Sequence, residues 1–256
     1  MNLGFIGTGK ITSSVVTGIC RSKISFKKVI LSPRNRNVAN KLKRQFRKVS
    51  IAKNNQEIVN SCNWVFLAVT PPVGQKIIKN LKFKSSQTIV SFISTMTLSQ
   101  LKKAIKVKAT IVRAVPLPPI SLRKGPVPLF PPNKKVKFFF DKLGTTVEIS
   151  NEELSNNFWS TSGMMAPFYE LLSTMSNWLV KRGIKRDKAQ KYVTSLFAAL
   201  SEDAVVNSNK GLKYLVKESQ TAGGLNEQGV KELRKAGFYR STEKILNSIL
   251  KRLNKV

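Results

Sequence analysis

The start of the chain constrains the fold more than any other feature, because an apolar run, a glycine turn and a helical pattern follow without a break. Leu3–Ile6 is apolar, Gly7-Thr8-Gly9 follow, and Lys10–Ile19 has helical periodicity. This alternation continues to about residue 150. Runs that are apolar on both faces are typical of parallel sheets, so we predict a Rossmann-type, doubly wound α/β sheet.

The same patterns predict the other elements of this first part. Strands are expected at Val29–Leu31, Trp64–Val69, Thr88–Ile93 and Ile111–Val115, and a helix at Val38–Phe46. The proline-rich residues 116–133 are predicted as extended chain with a last edge strand, because proline cannot donate to a strand ladder. Phe138–Phe140 and Thr146–Ile149 then close the domain.

The second part of the chain has long helical patterns and no runs typical of strands. Helices are predicted over Phe168–Val180, Lys188–Val206, Asn226–Lys235 and Thr242–Leu253. We therefore predict a Rossmann domain over residues 1–150 and an all-helical C-terminal domain over residues 151–256.

The chain of 256 residues is strongly basic, with 45 Lys and Arg against 13 Asp and Glu, a net charge of +32. Such a balance is found in nucleic-acid-binding proteins. The basic residues are scattered, however, and no zinc-finger spacing, basic region with heptads or aromatic RNA-binding strand occurs. We interpret the charge as a compositional bias that attracts anionic cofactors and substrates, and we expect no specific nucleic-acid partner.

Histidine is absent, which excludes every mechanism that needs an imidazole base. The two cysteines, Cys20 and Cys62, are too few for a disulfide framework, and no cluster has metal-ligand spacing, so no metal site is predicted. No apolar segment is long enough to span a membrane, and the start lacks the features of a secretory signal. We therefore expect a cytoplasmic protein without a membrane partner.

The glycine turn predicts a dinucleotide site. Gly7 permits the tight turn after the first strand, and Gly9 lets the backbone approach a pyrophosphate at the N-terminus of the first helix. Thr12 stands where the usual fingerprint has its third glycine. A glycine motif alone is weak evidence, but its position between a strand and a helix makes it specific.

The end of the second strand indicates which nicotinamide cofactor is preferred. Ser32-Pro33-Arg34-Asn35-Arg36 contains no carboxylate to bind the ribose hydroxyls of NAD. Arg34 and Ser32 would instead pair with a 2′-phosphate, so NADP(H) is predicted, with NAD(H) as the alternative. Asn55, and the segment Ala68–Pro71 at the end of a later strand, are further candidates for cofactor contacts.

Six ordered segments resemble the pyrroline-5-carboxylate reductase family over nearly the whole chain. They are GFIGTGKIT at 4–12, LSPRN at 31–35, VFLAVTPP at 65–72, IVSFIS at 89–94, IVRAVPLPP at 111–119 and ESQTAGGLNEQGVKELRKAGF at 218–238. Residues 160–163 are similar to the small-residue opening of the family's C-terminal helices. The resemblance implies a helical domain that dimerises by interlocking, and hydride transfer from NADPH to the C=N bond of a cyclic imino acid.

The resemblance also implies roles for individual residues. The cofactor contacts would be Gly7, Thr8, Gly9, Lys10, Ile11, Ser32, Arg34, Asn35, Asn55, Ala68, Val69, Thr70 and Pro71. The substrate contacts would be Met164, Gly223, Gly224, Leu225 and Asn226, with the substrate carboxylate on backbone N–H groups around the glycine pair.

Several positions depart from the family pattern. Leu225 and Asn226 replace two threonines, and Gly163-Met164-Met165-Ala166 replaces a Gly-Pro-Ala sequence. Three other residues also depart from the pattern: Thr70 replaces a lysine of the family, Leu117 an asparagine and Ala222 a proline. Leu225 and the methionines would make the substrate pocket more apolar, while Asn226 could still donate to a carboxylate.

An imine is readily protonated, so the chemistry needs no strong acid. The candidate catalytic residues are Ser162, Thr221 and Asn226. Ser162 and Thr221 could relay a proton, and Tyr169 is a further candidate for this relay. Three functions stay open at this point. They are NADPH-dependent reduction of 1-pyrroline-5-carboxylate to L-proline, a related reduction of another imine or a keto acid, and non-catalytic binding of a dinucleotide or of nucleic acid.

Overall fold

The computed structural model describes residues 1–255, which pack into two compact units, Met1–Trp159 and Ser160–Lys255. The first unit is an α/β sheet structure and the second is helical, so the predicted fold class is confirmed. The predicted domain limits, 1–150 and 151–256, stay predictions. The segment just after residue 150 is tied to the first unit, because Glu152 forms an ion pair with Arg113.

One eight-stranded sheet forms the centre of the first unit. Its strands are β1 (Asn2–Ile6), β2 (Lys28–Leu31), β3 (Val49–Ile51), β4 (Trp64–Leu67), β5 (Thr88–Ser91), β6 (Thr110–Ala114), β7 (Pro126–Phe130) and β8 (Thr145–Glu148). The strand order is β3-β2-β1-β4-β5-β6-β7-β8, and every neighbouring pair except β6 and β7 is parallel. The order reverses direction between β1 and β4, which is where open α/β sheets bind ligands.

Helices cover both faces of this sheet. They are α1 (Lys10–Cys20), α2 (Arg36–Gln45), α3 (Asn55–Ser61), α4 (Pro71–Ile78), α5 (Leu98–Ile105) and α6 (Lys134–Phe140). One apolar core joins β1 through Leu3 and Phe5 to α1, α2 and α6, and the other joins β1 through Ile6 to α3, α4 and α5. Successive residues of β1 therefore enter opposite cores, as the pleat of a strand requires.

The prediction of a last edge strand within residues 116–133 is wrong. Pro126–Phe130 is indeed a strand, but β8 pairs outside it and forms the edge of the sheet. Proline is tolerated in β7 because β6 pairs with it over only two residue pairs, and because the carbonyl of Pro128 still accepts a hydrogen bond from the N–H of Val115 at 3.3 Å. Part of the remaining segment, Pro118–Leu122, forms a 3₁₀ turn rather than extended chain.

The second unit consists of helices that leave apolar surface exposed. After α7 (Ser155–Ser162), which contains the boundary between the units, come α8 (Met165–Val180), α9 (Arg186–Val206), α10 (Leu212–Glu218), α11 (Leu225–Lys235) and α12 (Phe238–Leu253). Large apolar side chains are exposed on each of α8 to α12. Among residues 160–255 the buried hydrophobic side chains are only Ala189 and Val193. Exposed apolar area of this extent marks an interaction surface.

Cys62 is buried and Cys20 is partly buried. Burial raises the pKa of Cys20 to about 11 and that of Cys62 to about 12, from an ordinary value of 9.0. Because the folded-state values are raised, the thiols stabilise the fold fully below pH 9, and this contribution is lost as the pH rises through about 11 to 12.

We expect both thiols of the native protein to react with a thiol reagent at pH 8 at least about a hundredfold more slowly than in the unfolded chain, because the thiolate is the reactive form. The measurement is the time course of the reaction with and without guanidinium chloride. Fast reaction of either thiol in the native protein would contradict the burial described here.

No helix in the described part of the chain, residues 1–255, combines the length and the apolar character needed to cross a membrane. The same residues contain no group of three or more His, Cys, Asp or Glu side chains suited to hold a metal ion.

Candidate functional site: a dinucleotide crevice and a glycine loop

A crevice of about 620 Å³ opens at the carboxyl ends of β1, β2 and β4. Two hydroxyl groups fix the loop between β1 and α1 that forms its floor. Thr8 Oγ1 donates to the carbonyl of Ser32 at 2.7 Å, and Thr12 Oγ1 donates to the carbonyl of Gly7 at 2.7 Å. The residue that replaces the third glycine of the fingerprint thus ties the glycine turn to the first turn of α1.

The two glycines of this loop meet opposite steric requirements. Gly7 has φ +99°, and a Cβ there would lie 2.3 Å from the carbonyl oxygen of Ala68. A Cβ on Gly9 would meet nothing within 4 Å. Gly7 is therefore required by the fold itself, whereas Gly9 leaves open space at the N-terminus of α1, where backbone N–H groups and the helix dipole favour an anion.

The far end of the crevice is cationic. Arg34 and Arg36 line it together with Asn35 and Asn37, and all four are exposed. Within residues 1–255 neither arginine has a carboxylate partner. The acidic residue next along the chain, Glu57, accepts the N–H of Lys53 at 2.7 Å. The arrangement suits a phosphate on the ribose, and the lining contains no carboxylate that would bind a free ribose diol.

Most of the predicted cofactor residues meet in this crevice. Those that line it are Gly7, Thr8, Gly9, Arg34, Asn35, Ala68, Val69 and Thr70. Lys10 and Ile11 begin α1, Pro71 begins α4, and Ser32 is buried with 2% exposure. Their assignments and those of the lining residues stay predictions. Sequence reasoning did not include Arg36, Asn37 or Val73, which also line the crevice.

Asn55 lies at the start of α3, where Asn54 caps the helix by accepting the N–H of Glu57 at 2.9 Å. The side-chain oxygen of Asn55 is buried and has no hydrogen-bond partner among the described residues. A buried acceptor of this kind normally has a partner, so a bound molecule with a donor group would satisfy it. Together with the open approach at Gly9 and the cationic rim, this observation fits a bound dinucleotide.

The predicted substrate loop lies in the second unit, between α10 and α11. Gly223 has φ +71°, and Gly224 is the N-cap of α11. The N–H of Gly223 donates to Glu227 Oε2 at 2.8 Å, and the N–H of Gly224 donates to the carbonyl of Thr221 at 2.8 Å. Both N–H groups expected to hold a substrate carboxylate are thus engaged within the loop.

The two side chains after the glycine pair differ in their contacts. Asn226 Nδ2 donates to the carbonyl of Ser219 at 2.9 Å and so braces the loop, while Leu225 is 87% exposed. The hydrogen bond from Lys231, followed by that from the Gly223 N–H, lowers the pKa of Glu227 below its ordinary value. Sequence reasoning did not single out Glu227, and only its position four residues after Gly223 signals this contact.

A crevice of about 520 Å³ adjoins this loop. It is lined by Lys213, Val216, Lys217, Gln220, Thr221, Ala222, Glu227 and Arg234. It contains the candidate Thr221 but neither Ser162, at the end of α7, nor Met164, which precedes α8. The roles of Ser162, Met164, Thr221 and Asn226 stay predictions.

Two family models cover successive parts of the chain. Residues 2–98 match the family described as NADP oxidoreductase, coenzyme F420-dependent, and residues 152–256 match the pyrroline-5-carboxylate reductase dimerisation family. Pyrroline-5-carboxylate reductase 3 of Danio rerio is 24% identical over 93% of this chain and 85% of its own length. Together these matches support a member of the pyrroline-5-carboxylate reductase family.

Two further relatives are similarly distant in sequence. The Synechocystis pyrroline-5-carboxylate reductase is 24% identical, with 93% of this chain and 91% of that protein covered. The structure of a Plasmodium falciparum pyrroline carboxylate reductase with NADP bound superposes with a TM-score of 0.83 at 21% identity, covering 99% of this chain and 97% of that one. The structural likeness supports the fold.

The two family matches bear on several predictions. The match of the first part to an NADP oxidoreductase family confirms the predicted NADP(H) cofactor. The match of the helical part to a dimerisation family confirms that the protein forms a homo-oligomer. The exposed apolar faces of α8 to α12 give the physical reason, since another copy would cover them.

Proposed function

We propose that this protein uses NADPH to reduce a cyclic imine, with 1-pyrroline-5-carboxylate as the substrate and L-proline as the product. One observation carries the proposal: a glycine-floored crevice ends in two arginines without carboxylate partners among residues 1–255, in a chain of the pyrroline-5-carboxylate reductase family. When bound, NADPH supplies the hydride that reduces the C=N bond.

The residues of this chain bind and orient the reactants. The backbone around Gly7 and Gly9 and the first turn of α1 hold the pyrophosphate, and Arg34 holds the ribose phosphate. The loop around Gly223 and Gly224 is proposed to orient the imino acid, with Leu225 and Met164 as apolar contacts. Orientation is the larger part of catalysis in such reactions, because the hydride carrier is the cofactor.

The proton that completes the reduction needs no imidazole. Ser162 and Thr221 are proposed to pass it from solvent to the imine nitrogen, and Asn226 is proposed to support the substrate. We further propose that the oligomer is a homodimer or a higher homo-oligomer, located in the cytoplasm. The family of residues 152–256, a dimerisation family, supports the dimer.

A steady-state assay with 1-pyrroline-5-carboxylate tests this function. We expect oxidation of NADPH, followed at 340 nm, with formation of proline in equal amount and slower turnover with NADH. The proposal fails if NADPH binds and no proline is formed at any substrate concentration.

A reductase for a different imine is the second candidate, favoured by the contact between Glu227 and Gly223. A protein carboxylate already occupies an N–H group that an imino-acid carboxylate would use. The substrate carboxylate must then displace Glu227, or the substrate has no carboxylate. Turnover of a carboxylate-free cyclic imine in preference to 1-pyrroline-5-carboxylate would support this candidate.

Glu227→Gln distinguishes the two. If the substrate carboxylate competes with Glu227, the variant should lower KM for 1-pyrroline-5-carboxylate by about fivefold and leave kcat unchanged, because a neutral acceptor holds Gly223 less strongly. Glu232→Gln, an exposed acid on the same helix, is the matched control and should change neither constant. An unchanged KM in Glu227→Gln would show that the substrate does not use this N–H group.

A further inference from the structure

The corner between β2 and α2 brings two arginines into one crevice. Arg34 and Arg36 both line the crevice that contains Gly7 and Gly9. Asn35 lies between them and is the N-cap of α2, where its side chain accepts the N–H of Val38 at 3.3 Å. Arg36 is thus the first residue of α2, and it lines the crevice.

The sequence predicts that Ser32 binds the same 2′-phosphate as Arg34, but in the structure Ser32 is buried. Ser32 is 2% exposed, and its carbonyl accepts the hydroxyl of Thr8 at 2.7 Å. It therefore belongs to the wall that holds the glycine loop. Besides Arg34, Arg36 is the cationic residue of this corner that is exposed and lines the crevice.

Neither guanidinium is neutralised by the protein. Among residues 1–255 the ion pairs involve neither Arg34 nor Arg36, and the first turn of α2 contains no acidic residue. Two planar forks of N–H donors at the start of a helix match a phosphomonoester, which offers several oxygen acceptors and close to two negative charges.

We propose that Arg34 and Arg36 together clamp the 2′-phosphate of NADP(H), and that Arg36 determines the preference over NAD(H). The proposal rests on the dinucleotide role of the crevice and adds a specificity-determining residue to it. NAD(H) has hydroxyl groups where NADP(H) has this phosphate, so the second guanidinium has no anion to bind in NAD(H).

Equilibrium binding tests the clamp independently of turnover. The dissociation constants of NADPH and NADH are measured from nicotinamide fluorescence for the full-length wild type, Arg36→Gln and Arg34→Gln. We expect Arg36→Gln to weaken NADPH binding about tenfold and to change NADH binding less than about twofold, since only a charge-assisted phosphate contact is lost. Arg44→Gln, in the last turn of α2, is the matched control and should alter neither constant.

A second probe isolates the phosphate from the nicotinamide. In Arg36→Gln, 2′,5′-ADP should lose affinity about as NADPH does, while 5′-ADP should not. Equal weakening of NADPH and NADH, or no change in either, would overturn the clamp while the dinucleotide site stands. If the wild type binds neither nicotinamide cofactor, both the clamp and the proposed function fail.

Discussion

Gly7→Ala should abolish NADPH binding and lower the stability of the first unit. The new Cβ would lie 2.3 Å from the carbonyl oxygen of Ala68 and 2.7 Å from Val69 Cγ1, at a φ of +99° that alanine rarely adopts. Backbone strain of this kind costs about 1–3 kcal/mol, and overpacking costs about 1–3 kcal/mol more. Thermal unfolding and fluorescence titration with NADPH measure the two losses.

Gly9→Ala separates binding from folding. Its Cβ meets no atom within 4 Å, so the melting temperature should stay within about 2 °C of the wild type. The methyl group would nevertheless fill the space through which a pyrophosphate approaches, and NADPH affinity should fall by about tenfold or more. Unchanged NADPH affinity in Gly9→Ala would mean that the cofactor does not lie against this loop.

Glu152→Ala should cause a large loss of stability in the first unit. Arg113 is 4% exposed, forms an ion pair with Glu152, and donates to the carbonyl of Ser94 at 2.6 Å. Its guanidinium also lies 4.6 Å from the centre of the Trp159 ring. Removing the carboxylate leaves a buried charge without its counterion, which costs about 3–5 kcal/mol.

Glu152 has a second role that the same substitution removes. Its Oε1 accepts the N–H of Leu98 at 2.7 Å, at the N-terminus of α5. For a chain of this size the combined loss should lower the melting temperature by about 6–15 °C. Lys137→Ala, which breaks the exposed pair with Asp141, is the control and should cost at most about 1 kcal/mol. Similar shifts in the two variants would mean that the ion pair of Arg113 is not effectively buried.

The sequence predicts the inner strands well, because β1, β4 and β5 are buried throughout or nearly so and contain no charged residue. It misses β3, whose three residues are too few for a periodic pattern. It also misses α4. Two consecutive prolines, Pro71 and Pro72, indicate the end of regular structure, but here they occupy the first positions of a helix. The position of β8 at the edge of the sheet is not predicted, because its pairing with β7 depends on tertiary structure.

The glycine floor of the candidate site could be predicted because strand, turn and helix are adjacent in the chain. Arg36 could not, since no sequence pattern shows which residues of the turn from β2 into α2 line the crevice. The engagement of Gly223 by Glu227 depends on a turn with positive φ, which no pattern of hydrophobicity reports. Local chemistry is thus readable from the sequence, and side-chain pairing across a turn is not.

The scarcity of buried side chains in residues 160–255 has a consequence for experiments at low concentration. Helices α8 to α12 need another copy to bury their apolar side chains, so they should lose order as the subunits dissociate. The Rossmann unit, in contrast, has two apolar cores of its own. On dilution, turnover should therefore be lost at a higher protein concentration than nucleotide binding. The two activities thus report on different halves of one chain.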